Sequence, residues 1–320
     1  MQLLSRYFVP GLVGVFVVVC LYGLRGDLAL ISLAPLARSW DLVAVAAVCS
    51  LLNYVVRILR WQRYLHRLGR SLPLGFTGLT YIAGFAFTVS PGKVGEMARA
   101  RYYSRAGISL SDVAGAFFVE RLMDVMAMIV LAALIVSAAP RYQFAMWSAG
   151  VITLTVLVLL AVLPWSSIAS RLETATHLPR ALAQFAVGVA KGLGAARSLL
   201  SPGVLLSGFA SGLVGWGLEG LGLYALGSIF PAAHLSAATG VGIYGVAVLV
   251  GALSFLPGGL GSTEAVMTAL LTTQGYPVGD ALVVTIACRI VTLWLAVCMG
   301  WLAVLALRHR LLPAVSSSWL

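Results

Sequence analysis

The chain has 320 residues, of which 61% are hydrophobic and 10% charged, and its mean hydropathy is +1.00. Soluble domains hold about half apolar residues, so this composition excludes a soluble globular protein and points to a polytopic membrane protein with apolar runs of about 20 residues. The net charge of +11 resides in basic residues that flank those runs, a pattern that fits anionic lipid headgroups and not nucleic acid.

In chain order, the runs at 8–24, 41–59, 110–138, 143–163, 203–228 and 280–306 each read as one membrane crossing. Arg25 and Asp27 stand where a signal peptide would need small residues for cleavage, so the first run is expected to be retained. Two shorter apolar stretches, 76–90 and 238–256, lead into Pro91-Gly92 and Pro257-Gly258. Proline removes a backbone donor and glycine tolerates sharp turns, so each stretch is expected to break near mid-membrane and double back. The expected fold is an all-α integral membrane protein, with six transmembrane helices plus two re-entrant broken-helix hairpins, in a single transmembrane domain over 1–320. Residues 164–202 read as a cytoplasmic connector. They hold Arg171, Glu173, His177, Arg180, Lys191 and Arg197, and the apolar spacing from Leu182 to Leu193 suits an amphipathic helix along the membrane surface.

Cytoplasmic loops carry the excess of Lys and Arg. With six crossings, Arg6, the basic residues from Arg57 to Arg105, then Arg171, Arg180, Lys191 and Arg197, and finally Arg308 and Arg310 fall on one side, against Arg25, Arg38 and Arg141 on the other. Both termini are therefore expected in the cytoplasm, with the protein multi-pass in the plasma (inner) membrane. The stretch RILRWQRYLHRLGR, Arg57 to Arg70, reads as a basic helix end with Trp61 and Tyr64 as interfacial anchors.

The chain is internally duplicated. Pro91-Gly92-Lys93-Val94-Gly95-Glu96 returns as Pro257-Gly258-Gly259-Leu260-Gly261-Ser262-Thr263-Glu264, and behind these Gly107, Asp112 and Arg121 keep the mutual spacing of Gly275, Asp280 and Arg289. Pro91, Gly92 and Gly95, with Pro257, Gly258, Gly259 and Gly261, are the expected hairpin hinges. The repeats cover about 41–138 and 203–306, with three crossings between the hairpins, so they are expected to be inverted, an arrangement characteristic of transporters.

Charges inside apolar spans cost about 2.5–3.5 kcal/mol each on insertion scales, which makes each one a candidate functional residue. Glu120, Arg121 and Asp124 share a helix, where Glu120 and Asp124 lie on one face. That trio leaves one negative charge, for which Arg289 is the expected partner, with Glu219 as a second acceptor. Two roles stay open, a set of ion pairs locking the repeats together or a polar cavity whose charges exchange partners. At the first hairpin, backbone N–H groups with Lys93, Arg99, Arg101 and Arg105 are candidates to hold a phosphate. Glu96 and Glu264 either complement the helix dipoles or act in transport, and Ser262 or Thr263 is the expected cap of the second half-helix.

Cys20, Cys49, Cys288 and Cys298 lie in apolar spans, and His66, His177, His234 and His309 are scattered, none at metal-ligand spacing. With no nucleophile elbow, Walker loop or dinucleotide fingerprint, no metal, no cofactor and no enzymatic activity are expected.

PGKVGEMARA at 91–100, VERLMDV at 119–125 and FLPGGLGSTEA at 255–265 resemble the transmembrane flippase-domain family of lysylphosphatidylglycerol synthases, over residues 10–306. The family's Pro-Gly-x-x-Gly-Glu-x-x-Arg pattern falls on Pro91, Gly92, Gly95, Glu96 and Arg99. Its Glu-Arg-x-x-Asp falls on Glu120, Arg121 and Asp124, and its second turn on Pro257, Gly258, Gly259 and Gly261. The resemblance implies movement of a lipid between leaflets. No synthetase domain follows before Leu320, so a stand-alone member is expected that does not itself make lysyl-phosphatidylglycerol. The expected function is a flippase for a phosphate-bearing lipid, either a modified phospholipid or a polyprenyl phosphate. Its expected partners are anionic membrane lipids and a separate lipid synthase or glycosyltransferase. The alternatives are a membrane-embedded enzyme using Glu96 or Glu120 as general acid or base, and a non-catalytic partner of such a synthase.

Overall fold

A computed structural model describes residues 33–135, 142–174, 179–230 and 234–311. The expected first span at 8–24, Cys20, Arg25, Arg141 and His177 lie outside these residues. Every regular element among the described residues is a helix. After a single turn of helix at Ala34–Arg38, the α-helices are, in order, α1 (Trp40–Arg67), α2 (Leu74–Phe85), α3 (Ala100–Arg105), α4 (Leu110–Ala132), α5 (Gln143–Val162), α6 (Trp165–Glu173), α7 (Arg180–Ser198), α8 (Pro202–Gly227), α9 (Ala237–Leu253), α10 (Ser262–Thr273), α11 (Val278–Arg289) and α12 (Leu295–Leu311).

Among the described residues, three helices are long and apolar enough to cross a membrane: α1, α8, and the continuous rod from Val278 to Arg308. A fourth candidate is broken, since the helices Met146–Val162 and Trp165–Glu173 meet at 73°. Helix α4 has the length, 23 residues, but it carries Asp112, Glu120, Arg121 and Asp124, so composition alone does not qualify it. The rod from Val278 includes one wide turn, Ile290–Trp294, of five residues in π-helical geometry. Beyond that turn, Gly300 is positioned so that any Cβ would collide with the backbone of Phe85 and Ala86 at the end of α2.

Local chemistry sets the helix starts. Ser109 Oγ accepts from the Asp112 N–H at 3.0 Å to begin α4, and Ser236 Oγ accepts from the Thr239 N–H at 3.1 Å to begin α9. Pro202, in the first turn of α8, uses the one region of a helix where a missing N–H costs nothing. Small residues then let the helices approach closely. A Cβ on Gly115 of α4 would come within 2.8 Å of Gly192 O and 2.6 Å of Ala196 N on α7, so the connector helix lies against the start of α4. Toward its start, before it meets α4, α7 exposes Leu182, Phe185 and Val189.

The duplication is visible in local geometry. Each copy runs helix, Pro-Gly turn, short helix, a glycine with positive φ, long helix: α2, the turn, α3, Gly107 (φ 73°) and α4, against α9, the turn, α10, Gly275 (φ 93°) and α11. The two turns touch, with Val89 packed against Leu260 and Leu293. The breaks differ from expectation in position. The leading helices end at Phe85 and Leu253, several residues before the prolines, because the chain first uncoils through 86–90 and 254–256. In the first copy, Pro91–Arg99 is a tightly wound stretch broken by a kink at Gly92 and Lys93, and α-helix resumes at Ala100 instead of near Gly95. Gly92 (φ 57°, ψ 17°) and Lys93 (φ 58°, ψ 20°) are both left-handed there. A Cβ on Gly95 would press into Ser90 Oγ at 2.8 Å and the Phe87 Cβ at 3.0 Å, so that turn closes only around glycine.

Candidate functional site

Two apolar cores, one containing Leu223, Ile243 and Met267 and the other Trp61, Tyr81 and Met123, are accompanied by a buried set of charges. Glu120, fully buried, receives Arg60 Nη2 at 3.0 Å, Arg99 Nη2 at 3.0 Å, Arg121 Nη2 at 3.3 Å and Arg57 Nη2 at 3.7 Å. The Tyr81 hydroxyl donates a short hydrogen bond to the same carboxylate. Asp124 receives Arg60 Nη1 at 2.8 Å, Arg121 Nη2 at 3.0 Å and Arg57 Nη2 at 3.7 Å. Four guanidiniums thus surround two carboxylates, and the cluster ends with surplus positive charge. This corrects the expectation of a surplus negative charge answered by Arg289. It also corrects the reading of Arg57 to Arg70 as an interfacial helix end: Arg57, Arg60, Trp61 and Tyr64 are buried, while Arg63 and Arg67 on the same helix are exposed. The physical reason is the face of α1, since only positions turned toward α4 and α8 are drawn into the ion cluster.

Arg99 lies flat against the Trp61 ring, 3.7 Å from its centroid, and is tied to Glu120, so it packs inside the cluster and does not reach outward. Arg101 and Arg105 are exposed, away from it. The expected phosphate grip by these arginines together is therefore not assembled. Several backbone N–H groups of the turns are also already used. Gly95 N–H donates to Ser90 Oγ at 2.7 Å, Lys93 N–H to Ser90 O at 3.0 Å, and Gly259 N–H to Leu256 O at 2.9 Å.

The second turn is closed by Arg289. Its Nε donates to Glu264 Oε1 at 2.6 Å and its Nη2 to Gly258 O at 2.7 Å, while Glu264 Oε2 accepts from the Gly261 N–H at 2.7 Å. Glu264, not Ser262 or Thr263, therefore caps α10. Thr263 is buried against Gly251 and Gly259, and Ser262 Oγ donates back to Gly259 O at 3.1 Å.

Between the two turns, α1, α8 and α9 lies a cavity of about 250 Å³. Of the residues singled out from sequence, Lys93, Arg121, Asp124, Glu219 and Arg289 border it, with hinge residues Gly92, Gly258 and Gly259. Glu96, Arg99, Glu120 and Glu264 stand behind that wall. Glu96 is fully buried and its Oε1 accepts from Thr88 Oγ1 at 2.8 Å. Sequence reasoning passed over Asn53, Tyr54 and Arg57 of α1, Trp216 of α8 and Tyr244 of α9, all of which line the cavity. The signal was present in α1: Ser50, Asn53, Tyr54, Arg57, Arg60, Trp61 and Tyr64 form a polar and aromatic stripe at helical spacing in an otherwise apolar helix.

The charge around the cavity is uneven. Arg57 and Arg121 face Asp124, and Arg289 faces Glu264. Lys93 instead projects over the Trp216 ring, 5.0 Å from its centroid, and among the described residues no carboxylate lies within 4.0 Å of its Nζ. A lysine held in left-handed backbone geometry and aimed into a cavity with no ion-pair partner is strain retained at a site.

The described residues are all-helical with long apolar spans, and they enclose a cavity and a buried charge cluster between two Pro-Gly turns, as fits an integral membrane protein. The chain belongs to the family of the lysylphosphatidylglycerol synthase TM region, whose model matches residues 7–300. It is also similar to a UPF0104 membrane protein of Methanothermobacter thermautotrophicus, at 28% identity over 282 residues, or 82% of each chain.

Proposed function

We propose that the protein is a flippase that carries a phosphate-bearing lipid between membrane leaflets, with the headgroup phosphate bound at Lys93 inside the cavity. In this reading the chain makes six crossings. The two turns are re-entrant hairpins of inverted repeats, both termini are cytoplasmic, and no covalent chemistry is performed. The observation that carries it is Lys93, a cation without a carboxylate partner over Trp216, in a cavity bordered by both turns. Arg57 and Arg121 stand beside it, so an arriving phosphate adds negative charge where positive charge is in surplus.

The size of the cavity supports the same reading. At about 250 Å³ it is smaller than the roughly 300–1,000 Å³ pockets that enclose whole drug-sized ligands. It suits a headgroup whose acyl or prenyl chains remain in the bilayer. Glu120 and Asp124, each in contact with three or more arginines, form the rigid wall of the site in this proposal. A lipid synthase or glycosyltransferase is the class of partner that would supply the cargo.

The test is leaflet exchange in proteoliposomes with labelled anionic phospholipids and polyprenyl phosphates offered in turn. Protein-dependent exchange of one class, reduced at least about tenfold in Lys93→Gln, which corresponds to about 1.4 kcal/mol of lost binding, is the expected result. Folded Lys93→Gln protein exchanging at the wild-type rate would sink the assignment of that residue.

A further inference from the structure

A proton gradient is one source of free energy for moving a headgroup uphill, and one side chain at the cavity is arranged to carry a proton. Glu219, on α8, is 2% exposed and borders the cavity. Its Oε2 accepts from Ser50 Oγ at 2.8 Å and its Oε1 from Asn53 Nδ2 at 2.7 Å. Both partners are neutral. Among the described residues no Lys, Arg or His nitrogen lies within 4.0 Å of this carboxylate. In contrast, Glu120, Asp124 and Glu264 are all held by guanidiniums, and a carboxylate fixed by buried arginines does not exchange its proton readily.

A buried carboxylate without a cation is costly as a charge. The donor set accommodates either form, because the Ser50 hydroxyl can donate to the carboxylate or rotate and accept from the carboxylic acid with no heavy atom moving. The titratable and charged groups facing Glu219 are Cys49, Tyr54 and Arg57 of α1, Lys93 of the first turn, Tyr244 of α9 and Cys288 of α11. Arg121, Asp124 and Arg289 border the same cavity. Arg57 and Lys93 are the cations whose field favours the ionised form of Glu219. A phosphate seated at Lys93 offsets that field, so phosphate binding and proton binding assist each other, and by linkage the assistance is reciprocal.

We propose that Glu219 is a proton-binding site coupled to the headgroup phosphate, so that each phosphate-bearing headgroup crosses the membrane together with one proton. This rests on the flippase reading above. An O–H bond forms at the Glu219 carboxylate with a proton from water on the entry side. The same bond breaks on the exit side, and nothing is oxidised or reduced.

Two readouts on reconstituted protein test it. In the first, infrared difference spectra recorded through a pH titration report the carbonyl stretch of a protonated carboxyl. The band is expected in wild type and absent in Glu219→Gln, and an unchanged band in the variant overturns the assignment to Glu219. In the second, proteoliposomes carrying a labelled singly charged anionic phospholipid are placed under an imposed pH gradient. Wild type is expected to accumulate the lipid about tenfold in the alkaline-side leaflet per pH unit, the ratio one coupled proton permits. Glu219→Gln is expected to show no gradient-driven accumulation. Exchange that proceeds in wild type but ignores the gradient overturns the coupling and leaves the flippase reading standing. No exchange of any lipid by folded wild type overturns that reading and the coupling with it. If Glu219→Gln does not fold, Ser50→Ala, which removes the hydroxyl that serves both forms, is measured in the same way and is expected to shift the infrared titration.

Discussion

The two Pro-Gly turns descend from one sequence pattern yet are finished in opposite ways. The second is sealed: Glu264 caps the Gly261 N–H, and Arg289 joins that carboxylate to Gly258 O. The first leaves its equivalents apart. Glu96 is hydrogen-bonded by Thr88, Lys93 projects over Trp216, and Arg121, the counterpart of Arg289, is engaged by Glu120 and Asp124. Duplication supplied two copies of a turn with charged residues around it. One copy uses its charges to hold its own backbone, and the other leaves Lys93 without an ion-pair partner.

That contrast can be broken from either side. The largest effect is expected from Arg289→Leu, which leaves the Glu264 carboxylate and Gly258 O without their partner. A stability loss of about 3 kcal/mol, the lower end for removing one member of a buried pair, should appear as a lowered Tm in detergent, because Glu264 retains 20% side-chain exposure. Next comes Gly95→Ala, whose added methyl group has to displace Ser90 Oγ and Phe87. Overpacking of this kind costs about 1–3 kcal/mol and should be measurable by the same melt. The smallest effect on stability has the opposite sign. Lys93→Gly relieves a left-handed backbone at a non-glycine residue and should raise stability by about 1 kcal/mol, while lipid exchange falls as it does in Lys93→Gln. A variant that becomes more stable and less active would separate the ligand role of Lys93 from any structural one. Equal losses of stability and exchange would count against the contrast between the turns.

The two Pro-Gly turns were legible in the sequence because their marks are backbone requirements. Positive φ at Gly92, Gly258, Gly107 and Gly275 is a demand that composition cannot disguise. The partners of the buried charges were less legible. Arg57 and Arg60 meet Glu120 and Asp124 across sixty or more positions in the chain, and a run of five arginines between 57 and 70 looks like an interfacial cluster until helix phase divides it. Lys93 stands out in the sequence at the first turn and Glu219 inside an apolar span, but that neither has an ion-pair partner within 4.0 Å is a property of the folded arrangement.

The wide turn at Ile290–Trp294 has a geometrical consequence. It absorbs one extra residue within an otherwise continuous rod, and in an α-helix one residue offsets the phase of everything beyond it by about 100°. Arg289, just before the offset, addresses the turn of its own repeat, whereas Gly300, beyond it, addresses the end of α2 in the other. A single span thereby faces in two directions and acts as a shared axle, joining the halves of the molecule along one line while presenting a different side to each.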